Sequence, residues 1–133
     1  MIRYVKYQNK SNIAKVNGKW FLRIVQTGET YDIAKLAAHM ADHASGFTKG
    51  QITGILTDMV ACIRELLLDG KKVKIADLAL FSLGCSCSGA DDPSTATVAN
   101  VRRIYIKARG TGEFSTREIS EKVRLKEQDA YSL

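Results

Sequence analysis

Four basic residues, Arg102, Arg103, Lys107 and Arg109, crowd the segment "VANVRRIYIKARG", and three more, Lys71, Lys72 and Lys74, open the segment "KKVKIAD". Ammonium and guanidinium groups at this density suit phosphate contacts, which give affinity and register on a nucleic acid without reading its sequence. The same residue types also occur on edge strands, where lysine discourages aggregation. The other chemistry-bearing residues assemble less well. Cys62, Cys85 and Cys87 are odd in number and lack zinc-ligand spacing, so reduced thiols are expected. In "CSC" two thiols lie two apart, on one face of a strand, which leaves a redox or metal role open. His39 and His43 stand at i, i+4 with no third ligand in sight, the pattern of a solvated helix face, and no metal site is expected. No Ser/His/Asp or Cys/His set, phosphate-cradling glycine loop or paired carboxylate stands out. An enzyme is therefore not expected, nor a cofactor, nor a small-molecule substrate.

The 133 residues fit one domain with a modest core and a short appendage. At 45% apolar and 26% charged, the composition is that of a folding, globular chain. The longest apolar runs, "LALF" and "ELLLD", fall far below the roughly 20 residues that span a bilayer, and "MIRYVKYQNK" lacks the apolar core of a signal peptide. A cytoplasmic location without membrane contact is the expectation. The formal charge of +6 is unevenly spread: residues 1–29 carry +5, 30–70 carry −2, 71–126 carry +5 and 127–133 carry −2. The positive charge lies outside the middle of the chain, which makes a polyanion a serious candidate partner.

Periodicity and punctuation supply the elements that would position these charges. "IRYVKYQ" and "KWFLRIVQ" read as two paired strands separated by "NKSN" and "NGK". "TYDIAKLAAHMADHAS" repeats apolar residues at helical spacing, with Thr30 or Asp32 as its cap. A longer helix follows, with Thr48 and Gln51 forming a capping box, an apolar stripe from Ile52 to Leu67, and Gly70 as its stop. Its stripe is wide for so small a chain, which favours a second copy of the chain to cover it, although packing against the chain's own sheet stays open. After Gly70 come three strands, "KKVKIAD", "LALFSLGCSCSG" and "VANVRRIYIKARG". "STREISEKVRLK" closes the order as a last helix, started by Ser115 and Glu118.

Between Phe81 and Ile104 lies a long connection of small and polar residues, longer than the usual two to five of a hairpin. "FTKGQITGILTDMVACIRELLLDGKKVKIADLALF", this connection and "IYIKARGTGEF" together resemble the HU/IHF family of bacterial histone-like DNA-binding proteins over residues 30–126. Residues 1–29 resemble the N-terminal extension of a histone-like subgroup found in Bacteroides and relatives. The resemblance implies an α+β fold of three regions: an N-terminal two-strand extension (1–29), an HU-like DNA-binding domain (30–126) and a C-terminal tail (127–133). It implies an intertwined homodimer whose helical body projects two β-arms around double-stranded DNA, and a nucleoid-associated role in bending or compacting it. In such relatives a proline at the arm tip acts as an apolar wedge. Pro93 falls about where that proline belongs, and is either the wedge or a turn residue in "DDPS". Two departures stand beside it: Asp91 and Asp92 precede the proline, and "ADLALF" replaces a glycine-rich turn. The expected DNA-binding residues are Lys71, Lys72, Lys74, Arg102, Arg103, Lys107, Arg109 and Pro93; the extension, through Arg3, Lys6, Lys19 and Arg23, either widens the footprint or equally just adds strands that cover the dimer body. The rival reading is a structural or protein-interaction module on the same fold, favoured by the acidic "ADDPSTAT".

Overall fold

The structure, a computed structural model, describes residues 1–26 and 28–129. The elements run β1 (Ile2–Gln8), β2 (Trp20–Val25), α1 (Ile33–Asp42), α2 (Lys49–Leu68), β3 (Val73–Ile75), β4 (Ala79–Cys87), β5 (Val101–Gly110), α3 (Thr116–Lys122) and β6 (Leu125–Glu127). Short 3-10 turns at Val98–Asn100 and Gly112–Phe114 flank β5. By density of contacts the chain forms two compact units, one of Met1–Thr30 with the segment from Ser120 onward, the other of Tyr31–Ile119.

In the first unit the strand order is β2-β1-β6. The antiparallel β1–β2 pair sets Tyr4 opposite Ile24 and Gln8 opposite Trp20. The connection closes through Asn9 N–H to Lys19 C=O at 2.8 Å and Gly18 N–H to Asn9 C=O at 2.8 Å, with Gly18 at φ +77°, a conformation glycine adopts without steric cost. β6 differs from the sequence expectation, which carries the last helix through "VRLK". The helix stops at Lys122, and Leu125–Glu127 instead pairs in parallel with β1, Ile2 opposite Leu125 and Tyr4 opposite Glu127. Backbone bonds from Ile2 N–H to Arg124 C=O at 2.8 Å and from Gln128 N–H to Tyr4 C=O at 2.9 Å hold it. Long-range pairing outweighs the weak local preference of these few residues for helix. Residues 130–133 of the expected tail lie outside the described residues.

The second unit pairs α1 with α2 and adds the antiparallel sheet β3-β4-β5. Asp32 is the cap of α1, its carboxylate accepting from Lys35 N–H at 2.8 Å. Thr48 and Gln51 form the expected capping box: Gln51 N–H donates to Thr48 Oγ1 at 3.2 Å and Thr48 N–H to Gln51 Oε1 at 2.9 Å. Gly70, at φ +78°, ends α2, and Lys71 N–H returns to Leu66 C=O at 3.0 Å. Among the described residues the buried apolar ones are only Ala37, Ile52, Leu67 and Ala79. In the "ADLALF" turn, Asp77 itself takes the left-handed conformation, at φ +59°, that a glycine would otherwise supply. Its carboxylate accepts from Glu113 N–H at 3.4 Å, tying the β3–β4 turn to the end of β5.

Candidate nucleic-acid interface

Strand alternation divides the β3-β4-β5 sheet into two chemically distinct faces, because directly opposed residues share a face and neighbours along a strand do not. One face carries Val73 opposite Phe81, Phe81 opposite Ala108, Leu83 opposite Ile106 and Cys85 opposite Ile104. Between this face and α2 lies a hollow of about 370 Å³ lined by Met59, Ile63, Leu67, Ile75, Phe81 and Ile106, among others. The other face sets Lys74 opposite Leu80, Leu80 opposite Arg109, Ser82 opposite Lys107, Gly84 opposite Tyr105 and Ser86 opposite Arg103. Lys74, Arg103, Lys107 and Arg109 therefore project from one exposed face. Among the described residues none of these four meets a carboxylate at ion-pair distance.

Tyr105 belongs to this basic row although its type did not mark it. The Arg103 guanidinium lies 5.2 Å from the centre of its ring, close enough for cation–π attraction. Gly84 makes the arrangement possible. A methyl group on its α-carbon would sit 3.1 Å from the Tyr105 ring and run into Lys107 Cε. The glycine leaves a shallow floor across which Tyr105 and Lys107 lie flat. The pattern R-I-Y-I-K-A-R, read at spacing two, is the signal from which Tyr105 could have been found.

The remaining expected residues are placed differently. Arg102 sits where the β4–β5 register shifts between Ser86 and Cys87, so it falls outside the alternating row that holds its neighbour Arg103. Lys71 and Lys72 lie in the turn between α2 and β3, and Lys71 forms an ion pair with Asp69. In the first unit, Arg3 pairs with Asp129 at 3.5 Å and Lys6 with Glu127 at 3.3 Å. Arg23 lies 5.8 Å from the Tyr7 ring centre, and Lys19 occupies the turn before β2.

The connection between β4 and β5 has an ordered neck and a folded tip. Ser88 N–H donates to Asn100 C=O at 2.8 Å, and the Asn100 side-chain amide donates to Ser88 Oγ at 3.2 Å. Thr97 N–H donates to Asn100 Oδ1 at 2.8 Å. Pro93 occupies the second position of a turn closed by Thr95 N–H to Asp92 C=O at 3.0 Å, where its fixed φ fits. The Asp92 carboxylate accepts from Ser94 N–H at 3.1 Å. Asp92 and Pro93 thus act together as turn chemistry, and Pro93 remains exposed at the tip.

Among the described residues no three metal-ligating side chains gather; His39 Nε2 and His43 Nε2 lie 3.1 Å apart at the exposed C-terminal end of α1. No described helix is long and apolar enough to cross a membrane.

The profile of a family described as "HU domain fused to wHTH, Ig, or Glycine-rich motif" matches residues 1–126. Among solved structures, the chain is similar to a candidate bacterial DNA binding protein from Bacteroides vulgatus, with a TM-score of 0.67 at 13% sequence identity. The match covers 95% of this chain and 47% of that one, so the chain spans about half of its structural relative. No curated protein matches it.

Proposed function

The chain belongs to the HU-HIG family, and from that premise we propose that it is a non-enzymatic, sequence-tolerant DNA-binding protein that bends or compacts duplex DNA as a homodimer in the nucleoid. The observation that carries this reading is the one-sided stacking of Lys74, Arg103, Lys107 and Arg109 on the β3-β4-β5 sheet. Cations projecting at spacing two along β5 suit a phosphate backbone, and such contacts hold any sequence alike. Lys71, Lys72 and Arg102 flank the row, the extension with Arg3, Lys6, Lys19 and Arg23 either widens the footprint or, its Arg3 and Lys6 being ion-paired, only adds strands that cover the dimer body, and Pro93 is the weaker candidate for a wedge at the tip. In this organisation residues 30–126 are the DNA-binding domain, its last segment from Ser120 joining the sheet of the 1–29 extension, and 127–133 are a tail that starts on that same sheet.

The homodimer is supported by the apolar side of the same unit. Ile55 is 60% exposed, Val60 52%, Leu68 71%, Ile104 67% and Ile106 61%, and the hollow between α2 and the sheet stands open beside them. Apolar surface on this scale marks an association site.

A salt series of binding to a short random-sequence duplex tests the reading, with the wild-type chain beside an Arg103→Ala/Lys107→Ala double variant. Wild-type binding with a steep dependence on log salt, and a shallower slope in the variant, is the expected result. A wild-type chain that fails to bind at ~50 mM salt, where phosphate contacts are strong, would overturn it. The second reading, a protein-interaction module on the same fold, is favoured by the acidic tip, which holds Asp91 and Asp92 and has no Lys or Arg from Ser86 to Asn100. It predicts unchanged DNA behaviour on replacing the basic row.

A further inference from the structure

Two thiols stand together at the end of β4. Cys85 and Cys87 share the apolar side of the strand, their sulfurs are 3.7 Å apart, and both residues are exposed. Same-face neighbours on a strand have α-carbons about 6.6 Å apart, inside the range of roughly 4.4–6.8 Å that a disulfide spans. The spacing lies near the upper end of that window, so closure needs the strand to shorten locally. β4 and β5 change register between Ser86 and Cys87, the one place in the pair where the ladder is already irregular. A closed metal site is the weaker use of these sulfurs, because no third ligand gathers beside them among the described residues.

We infer that Cys85 and Cys87 form a reversible dithiol–disulfide couple that a hydroperoxide oxidises. Cys85 supplies the attacking thiolate. Cys87 keeps its proton, since the hydrogen bond to Cys85 raises its thiol above the ordinary value, with desolvation and the charge on Cys85 acting in the same direction. The Cys85 thiolate attacks the terminal peroxide oxygen, an S–O bond forms, the O–O bond breaks, and the departing alkoxide takes up the proton that Cys85 released, leaving as an alcohol. Cys85 is then a sulfenic acid. The Cys87 sulfur attacks the Cys85 sulfur, an S–S bond forms, the S–O bond breaks, and hydroxide leaves with the Cys87 proton as water. Two thiols are oxidised to one disulfide, and the hydroperoxide is reduced to alcohol and water. A thiol reductant reverses the bond by exchange. The inference does not depend on the DNA-binding reading, and its test does not use DNA.

The full chain, reduced and freed of reductant, is treated with stoichiometric cumene hydroperoxide, quenched with N-ethylmaleimide and weighed intact. The expected product has lost two hydrogens and carries one maleimide, mapped by peptide analysis to Cys62, and dithiothreitol restores three alkylatable thiols. Cys62→Ala should still close the bond, whereas Cys85→Ser and Cys87→Ser should each prevent the two-hydrogen loss. Three alkylated cysteines after oxidant, a disulfide linking two chains, or one that includes Cys62 would each overturn the inference.

Discussion

The two sheets use their charge differently. Residues 1–29 hold a formal excess of +5, and residues 71–119, which carry the second sheet, hold +3. In the β2-β1-β6 sheet, Arg3 and Lys6 lie on opposite faces and are answered by Asp129 and Glu127. In the β3-β4-β5 sheet, Lys74, Arg103, Lys107 and Arg109 share one face, and among the described residues none of them meets a carboxylate at ion-pair distance. Exposed ion pairs of the first kind add little stability, of order 0–1 kcal/mol, yet they cancel the local field that would draw a polyanion. Register, not charge count, decides which sheet presents several cations on one face.

The sharpest way to break this contrast is on the apolar side of the second sheet. Ile106→Asp is expected to abolish self-association by setting an unpaired carboxylate into the proposed dimer contact, a penalty of about 3 kcal/mol or more. Sedimentation should find a monomer, and circular dichroism a retained fold, since Ile106 is 61% exposed within the chain. Next in size, Arg103→Ala/Lys107→Ala should flatten the salt dependence of duplex binding by about 1 for each phosphate contact removed. The matched change in the other sheet, Arg3→Ala/Lys6→Ala, should leave that slope nearly unaltered; an equal effect would erase the distinction between the sheets. Gly84→Ala should weaken binding only a few-fold, by displacing Lys107 and Tyr105 from the sheet floor, with the melting temperature little changed. Thr48→Ala, at the start of α2 and outside the basic row, should lower stability by about 1 kcal/mol through loss of the α2 cap and leave affinity as it was.

Local chemistry was legible wherever the partner lies within a turn of helix. Thr48 with Gln51 and Gly70 as a stop could be read directly because each acts on the backbone a few residues away. β6 could not, because Leu125–Glu127 is a strand only through pairing with β1 at the far end of the chain. The basic site was legible in composition, and its arrangement required reading β5 at spacing two. Arg102 and Arg103 look like one unit in sequence, yet neighbours along a strand do not share a face, so Arg103 keeps the row while Arg102, beside the register shift after Ser86, leaves it. Tyr105 could be placed in the row by the same spacing, whereas the room that Gly84 leaves for it lies across the ladder and needed the register.

The neck formed by Ser88 and Asn100 has a consequence of another kind. Their hydrogen bonds close the hairpin before the tip begins, and the tip satisfies itself through Asp92, Thr95 and Thr97. Residues 89–99 therefore behave as a cassette clipped between two strands, open to replacement by other loops of similar span without redesign of the sheet that carries it.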